Sequence, residues 1–162
     1  GDVRIRPGER FDGFVVRAPS GRQGSGYAVA RLGGGFIAGA PAAPLRGLHG
    51  RGGAWIIPSR TARAIRIDGP RAGGPAGTVV SATEHGRRAL VLTRGRSLRP
   101  ARALLYSRRG KPLAVYTGLT NAREARVAGA GAGDLTGDGR DDLVLGSPGT
   151  GRAYVVPGAR AG

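Results

Sequence analysis

The sequence has no cysteine and no methionine among its 162 residues. Without cysteine, the chain can form neither a disulfide framework nor a thiolate metal site. No apolar run approaches the roughly 20 residues that a transmembrane helix needs, and no signal peptide is recognisable. Because the chain starts at Gly1 and lacks methionine, we expect a processed or excised piece of a longer protein.

Acidic residues are also scarce. Ten Asp and Glu residues stand against 26 Lys and Arg, which gives a formal net charge of +16, and Lys111 is the only lysine. This excess predicts affinity for anionic partners such as acidic polysaccharide, lipid headgroups or nucleic acid. Aromatic residues make up only 5% of the chain. Since nucleic-acid binding surfaces usually interleave aromatic side chains with cations, the composition disfavours nucleic acid as the partner.

Glycine is abundant, with 32 residues, and proline adds 11. Such a composition is typical either of a disordered chain or of many short strands joined by turns. Ordered apolar runs favour the strands. One Ala-led run recurs at 54–58, 103–107 and 153–157, about 50 residues apart, and further short apolar runs flank each copy.

This recurrence predicts an all-β fold, a β-propeller fragment of about three four-stranded antiparallel blades. The blades span about 26–69, 76–118 and 124–158 of a single partial domain, 1–162. Residues 1–25 hold either the missing outer strand of the last blade, at 3–6, or the remnant of a preceding blade. A β-sandwich with accidental similarity between its strands is the alternative.

The second blade is the most basic part of the chain. A polyanion-binding patch on one edge of the propeller, formed by these cations, is one interpretation of this charge. Solvated arginines on turns and strand faces, in a composition biased towards arginine, are the simpler interpretation, which the sequence alone favours. The residues concerned are Arg87, Arg88, Arg94, Arg96, Arg99, Arg102, Arg108 and Arg109.

Four of the ten acidic residues fall within residues 134–142, which we call the acidic loop. Oxygen donors occupy alternate positions of this loop, and the glycines between them allow a tight curl. Such donors converge on one point and suit Ca²⁺, which takes six to eight oxygen ligands. The alternative is a metal-free Asp/Gly-rich turn. The candidate ligands are the side chains of Asp134, Thr136, Asp138 and Asp142 and the backbone carbonyl of Arg140.

The acidic loop is not an EF-hand, because its twelfth position is Leu145 instead of a bidentate Glu and an apolar strand follows it. Together with Gly-Ser-Pro at 146–148 and Gly-Arg-Ala-Tyr-Val at 151–155, the loop resembles the FG-GAP repeat of integrin-α-like β-propellers. The resemblance implies a non-catalytic, Ca²⁺-stabilised adhesion or binding module at the cell surface or outside the cell. Integrin-like propellers bind protein or glycan ligands through loops on one face and hold structural Ca²⁺ in hairpin loops on the other.

Related propellers also occur in secreted hydrolases, so an enzyme appendage is an alternative function. Catalytic signals are weak, however. The two histidines, His49 and His85, fall on predicted loops, and no Gly-x-Ser-x-Gly elbow is present. Trp55 and Tyr154 occupy equivalent repeat positions, which predicts core packing for both.

The family pattern is incomplete in the first two blades. The counterparts of the acidic loop, 31–35 and 83–87, contain no acid and one acid, so we expect no metal in either. Three blades cannot close a ring, because propellers typically have four to eight. We therefore expect further blades outside this sequence, or self-association through exposed blade faces.

Overall fold

The computed structural model describes residues 26–42, 52–58, 63–70, 75–83, 86–95, 100–118 and 128–158. These residues form eleven β-strands and one 3₁₀ turn, Pro148–Thr150, and no α-helix. None of them forms a helix long and apolar enough to span a membrane. The strands are β1 (Val29–Leu32), β2 (Gly35–Ala40), β3 (Gly53–Ile57), β4 (Ile65–Asp68), β5 (Ala76–Ala82), β6 (Arg88–Thr93), β7 (Ala103–Ser107), β8 (Pro112–Tyr116), β9 (Ala128–Gly131), β10 (Leu143–Ser147) and β11 (Arg152–Val156).

The strands form three antiparallel sheets, each a simple meander. Their orders are β1-β2-β3-β4, β5-β6-β7-β8 and β11-β10-β9. The first strands of the sheets lie next to one another, β1 beside β5 and β5 beside β9, so the sheets are arranged like adjacent blades. The predicted fold class, an all-β fragment of a propeller, is confirmed by this arrangement.

Some sequence predictions fall outside the described residues. The third sheet has three strands among the described residues, and the run at 3–6 that would add a fourth lies outside them, as do residues 1–25 in general. His49 and His85 also lie outside them. The assignment of the whole chain to one partial domain stays a prediction.

The central strands are buried on both faces. All five residues of β3 are buried, as are five of the six in β6. Continuous apolar runs are typical of strands that are covered on both sides. In the last strands of the second and third sheets, β8 and β11, more exposed and less exposed residues alternate, which is the pattern of a strand with one solvated face.

Two apolar clusters join the sheets. The first lies between the first and second sheets, and the second lies between the second and third. Both are made of aliphatic side chains that point from facing strands into the same interval. The largest members of the first are Leu32, Ile37, Ile56, Ile67 and Leu104, and those of the second are Leu90, Leu92, Leu105, Leu143 and Leu145.

The described residues of strand β9 are only alanine and glycine, and the strand ends at Gly131, whereas the corresponding apolar run of the repeat, 126–129, predicts an end at Gly129. Residues 126 and 127 lie outside the described residues. A Cβ added to Gly129 would lie 2.9 Å from Leu145 Cδ2 and 3.1 Å from Leu90 Cδ2. The small residues therefore leave space for leucines of two sheets. Because such a strand has no side-chain alternation, its register cannot be read from a hydrophobic pattern.

The turns at one end of the three sheets lie side by side, and we call this end the loop end. A Cβ on Gly86, in the β5–β6 connection, would collide with the backbone nitrogen of Gly33, in the β1–β2 turn. The Arg108 amide, in the β7–β8 turn, donates to the Arg87 carbonyl over 3.1 Å. The Gly131 amide, next to the acidic loop, donates to Ser81 Oγ over 3.4 Å. The loop end is therefore continuous from the first sheet to the acidic loop.

Leu145→Ala tests whether the second and third sheets share a core. Leu145 is fully buried, so the change should lower the free energy of unfolding by about 2–5 kcal/mol. The matched control is Val155→Ala, on the same sheet, whose side chain is 51% exposed. The control should change stability by less than about 0.5 kcal/mol. Denaturant unfolding of both variants measures the difference, and equal effects would show that the two sheets do not pack through Leu145.

Candidate metal centre

The acidic loop is the tip of the β9–β10 hairpin. Two backbone hydrogen bonds close its base, from the Ala132 amide to the Asp142 carbonyl over 3.0 Å and from the Asp142 amide to the Gly133 carbonyl over 2.7 Å. The loop thus begins and ends at one antiparallel pair. This arrangement fixes the direction in which the Asp142 side chain leaves the hairpin.

Asp142 is fully buried and connects three parts of the chain. Its Oδ2 accepts hydrogen bonds of 2.8 Å from the amides of Leu135 and Thr136, and its Oδ1 accepts one of 2.8 Å from the Gly158 amide. The Thr136 side chain also helps to lower the pKa of this carboxylate. Asp142 therefore ties the start of the loop and the segment after β11 to the base of the hairpin.

These contacts determine the charge of Asp142. Burial alone would raise the pKa of a carboxyl group, because removal from water disfavours the charged form. The hydrogen bonds from Gly158, Thr136 and Leu135 outweigh this effect and hold the pKa of Asp142 below its ordinary value. The side chain is therefore a carboxylate at neutral pH, as a metal ligand has to be.

Asp134 organises the outer part of the loop. Its Oδ1 accepts the amides of Gly137 and Asp138 over 2.7 and 3.0 Å, and its Oδ2 accepts the Gly139 amide over 2.7 Å. Gly137 and Gly139 have φ of +76° and +78°, backbone angles that residues with a Cβ rarely adopt. Three successive amides can point at one carboxylate because these two glycines turn the backbone.

Asp138 and Arg140 form the third contact. Asp138 Oδ1 accepts the Arg140 amide over 3.0 Å, and its Oδ2 lies 3.5 Å from Arg140 Nη1. The same Nη1 donates to the Gly158 carbonyl over 3.4 Å. The sequence assigned only the carbonyl of Arg140 to the site. The structure shows that its guanidinium folds back beside the acids.

One carboxylate oxygen from each of Asp134, Asp138 and Asp142 lies within 4.8 Å of the other two. This donor set is made of hard oxygen ligands, as Ca²⁺ requires. A carboxylate has about four acceptor positions, and the hydrogen bonds to Asp134 and Asp138 leave room for a metal. Asp142 accepts three backbone amides, so it too has an acceptor position left for a metal.

The structure thus brings together three of the five predicted ligands, all of them carboxylates. For the Thr136 hydroxyl and the Arg140 carbonyl, and for the ligand set as a whole, metal binding stays a prediction. Gly158 is a functional neighbour that the sequence did not reveal. A Cβ there would lie 2.6 Å from the Asp141 carbonyl oxygen, so only glycine brings its amide to Asp142. The turn signal Pro157-Gly158 is the only trace of this in the sequence.

The two aromatic residues at equivalent repeat positions are structural. Trp55 is 8% exposed and packs with Ala38 and Ile57, and the Arg66 guanidinium carbon lies 5.6 Å from the centre of its rings. Tyr154 packs against the core between the second and third sheets. Both therefore contribute to packing, as the sequence predicted.

A comparison with known families agrees with this geometry. The family model described as the FG-GAP repeat matches residues 127–156, which include β9, the acidic loop, β10 and β11. No curated protein matches the chain. The resemblance of the third repeat to an FG-GAP repeat is therefore confirmed, and this class of repeat is a non-catalytic module of propeller-type proteins.

Asp142→Asn tests whether Asp142 holds the acidic loop and the segment after β11 to the base of the hairpin. The variant keeps the shape but places an amide NH₂ group where one or two backbone amides now donate, and it removes the charge that strengthens all three bonds. In the presence of a chelator, we expect the melting temperature to fall by about 5 °C or more. Asp141→Asn, the neighbouring change of equal charge, is the control. Equal midpoints for the two variants would contradict the role given to Asp142.

Proposed function

We propose that the chain is a non-catalytic binding module of the FG-GAP type, that Ca²⁺ stabilises it, and that it works outside the cell. The observation that supports this most is the convergence of three carboxylates within 4.8 Å at the tip of a β-hairpin. The hairpin lies within the segment that the FG-GAP model matches. Neither observation alone implies calcium, but together they join a suitable donor set to a repeat that commonly binds it.

The charge of the loop favours a divalent cation. Asp134, Asp138 and Asp142 bring three negative charges together, and Arg140 offsets one of them. A divalent ion at this position neutralises the rest. Ca²⁺ suits the loop better than Mg²⁺, because Mg²⁺ demands a small and nearly ideal octahedral shell, whereas Ca²⁺ accepts irregular oxygen cages.

The role that we give to the ion is structural. Asp142 connects the loop to Leu143, which begins β10 and lies in the core between the second and third sheets. An ion that holds the three acids together therefore also stabilises β10, which contributes Leu143 to that core. A ligand that binds only the folded state stabilises it by mass action.

A non-catalytic function agrees with the side chains present. In the part of the chain that the structure describes, the only group of three or more His, Cys, Asp or Glu side chains close enough to share a metal is the one in this loop, and it includes no histidine. An extracellular setting follows from the proposed metal affinity. Extracellular Ca²⁺ modules typically bind at about 10⁻⁴ to 10⁻³ M. We place this loop in that range because Thr136, a neutral donor, holds the third position.

Thermal unfolding with and without calcium tests the proposal. At these affinities, 10 mM Ca²⁺ should stabilise the fold by about 1.4 to 2.7 kcal/mol relative to chelator. Asp138→Ala removes a ligand whose oxygens lie at the surface, and this variant should unfold at the same temperature in calcium and in chelator. The same amount of Mg²⁺ should raise the parent midpoint less than Ca²⁺.

Asp141→Asn is the matched control in the same loop. It changes the net charge by one unit but leaves the converging carboxylates in place, so it should keep the response to calcium. If the parent protein shows no calcium-dependent shift, the loop is an ordinary turn. If Asp138→Ala keeps the full shift, the ion binds elsewhere.

Arg140→Gln separates the two roles of Arg140. The substitution keeps the backbone carbonyl but removes the guanidinium, which lies 3.5 Å from Asp138 Oδ2 and repels an incoming cation. We expect the Ca²⁺ affinity, measured by titration calorimetry, to rise by about two- to fivefold. Arg152→Gln, at the opposite end of the same sheet, should leave the affinity unchanged. A weaker affinity in Arg140→Gln would mean that the guanidinium supports the site.

A further inference from the structure

The loop end of the second sheet carries a surface of exposed cations, Arg87, Arg108, Arg109 and Lys111, which we call the cationic surface. They come from two turns that are 20 or more residues apart in the chain. The hydrogen bond from the Arg108 amide to the Arg87 carbonyl, 3.1 Å long, joins these turns. The sequence could not show this proximity, because it depends on β6 and β7 lying side by side.

The positive charge of this surface is not compensated locally. The described residues of these two turns include no acidic side chain, and within the part of the chain that the structure describes the four cations form no ion pair. In the full sequence of the turns, 83–88 and 107–112, five cations stand against Glu84 alone. The four side chains of the cationic surface are therefore available to an anionic partner.

A shallow groove lies beside the cationic surface. It follows the β1–β2 hairpin, has a volume of about 590 Å³, and is lined by Arg31, the turn glycines and Phe36 among others. Arg108 Nη1 lies 3.6 Å from the position that a Cβ on Gly33 would occupy, so the guanidinium lies at the edge of this groove. The groove and the cationic surface are therefore continuous, and together they present backbone polar groups and guanidinium groups.

We propose that this end of the protein binds an acidic polysaccharide, whose carboxylate or sulfate groups pair with the cationic surface while sugar hydroxyls contact the backbone of the groove. Guanidinium groups suit such anions because they form two parallel hydrogen bonds with them. Nucleic acid is the less suitable partner, since single-strand binding relies on stacking of successive bases, and Phe36 is the single aromatic side chain that lines the groove. The inference does not rest on the proposed role of calcium.

Binding of heparin and of polygalacturonate to the whole chain tests the inference, with a single-stranded oligonucleotide of equal charge as the comparison. Chelator is present throughout, so the outcome is independent of any metal. Arg108→Gln combined with Arg109→Gln removes two charges from the cationic surface. Arg94→Gln combined with Arg152→Gln removes two exposed cations from the opposite end of the sheets and leaves the same net charge.

We expect the loop-end pair to weaken polysaccharide binding by at least about fivefold and the control pair to change it by less than about twofold. Binding should also weaken as salt rises. If the loop-end pair lowers the melting temperature, Arg87→Gln with Lys111→Gln replaces it. Equal losses in the two pairs would show attraction by net charge alone and overturn the inference. So would tighter binding of the oligonucleotide than of both polysaccharides, or no binding to either polysaccharide at low salt.

Discussion

Backbone amides of the acidic loop donate to its own carboxylates, and the rest of the site depends on this interaction. Asp134 accepts the amides of three consecutive residues, and Asp142 accepts amides from both the loop and the segment after β11. Like charges repel, so three acids approach one another only where other groups compensate them. In the acidic loop, backbone amides compensate part of this repulsion. The acceptor positions that they leave open lie close together and would be filled by a cation.

The fold was largely predictable, because the sequence repeats its apolar runs about every 50 residues, and the runs within the described residues form strands. The end of strand β9 was misplaced by two residues, since alanine and glycine carry no pattern that sets register. The loop acids were predictable from their spacing. The burial of Asp142 was not, because it depends on Gly158, which lies 16 residues away and approaches only when β11 pairs with β10.

The arginines illustrate the same limit. In sequence they are a compositional excess, and solvated side chains were the simpler interpretation. In the structure, each arginine lies at the end of the sheet where its turn lies, and Arg87 and Arg108 are therefore neighbours at the loop end. Arg140 differs from these residues, because its guanidinium is already engaged with Asp138 and Gly158. The arginines therefore fall into two groups. Arg140 compensates acids within the acidic loop, whereas those of the cationic surface face solvent.

We propose that the three carboxylates of the acidic loop hold a calcium ion. A crystal structure grown in millimolar CaCl₂, with an anomalous difference map, tests this directly. We expect one strong peak at about 2.3–2.6 Å from oxygens of Asp134, Asp138 and Asp142. An ordered loop without such a peak would contradict the proposal.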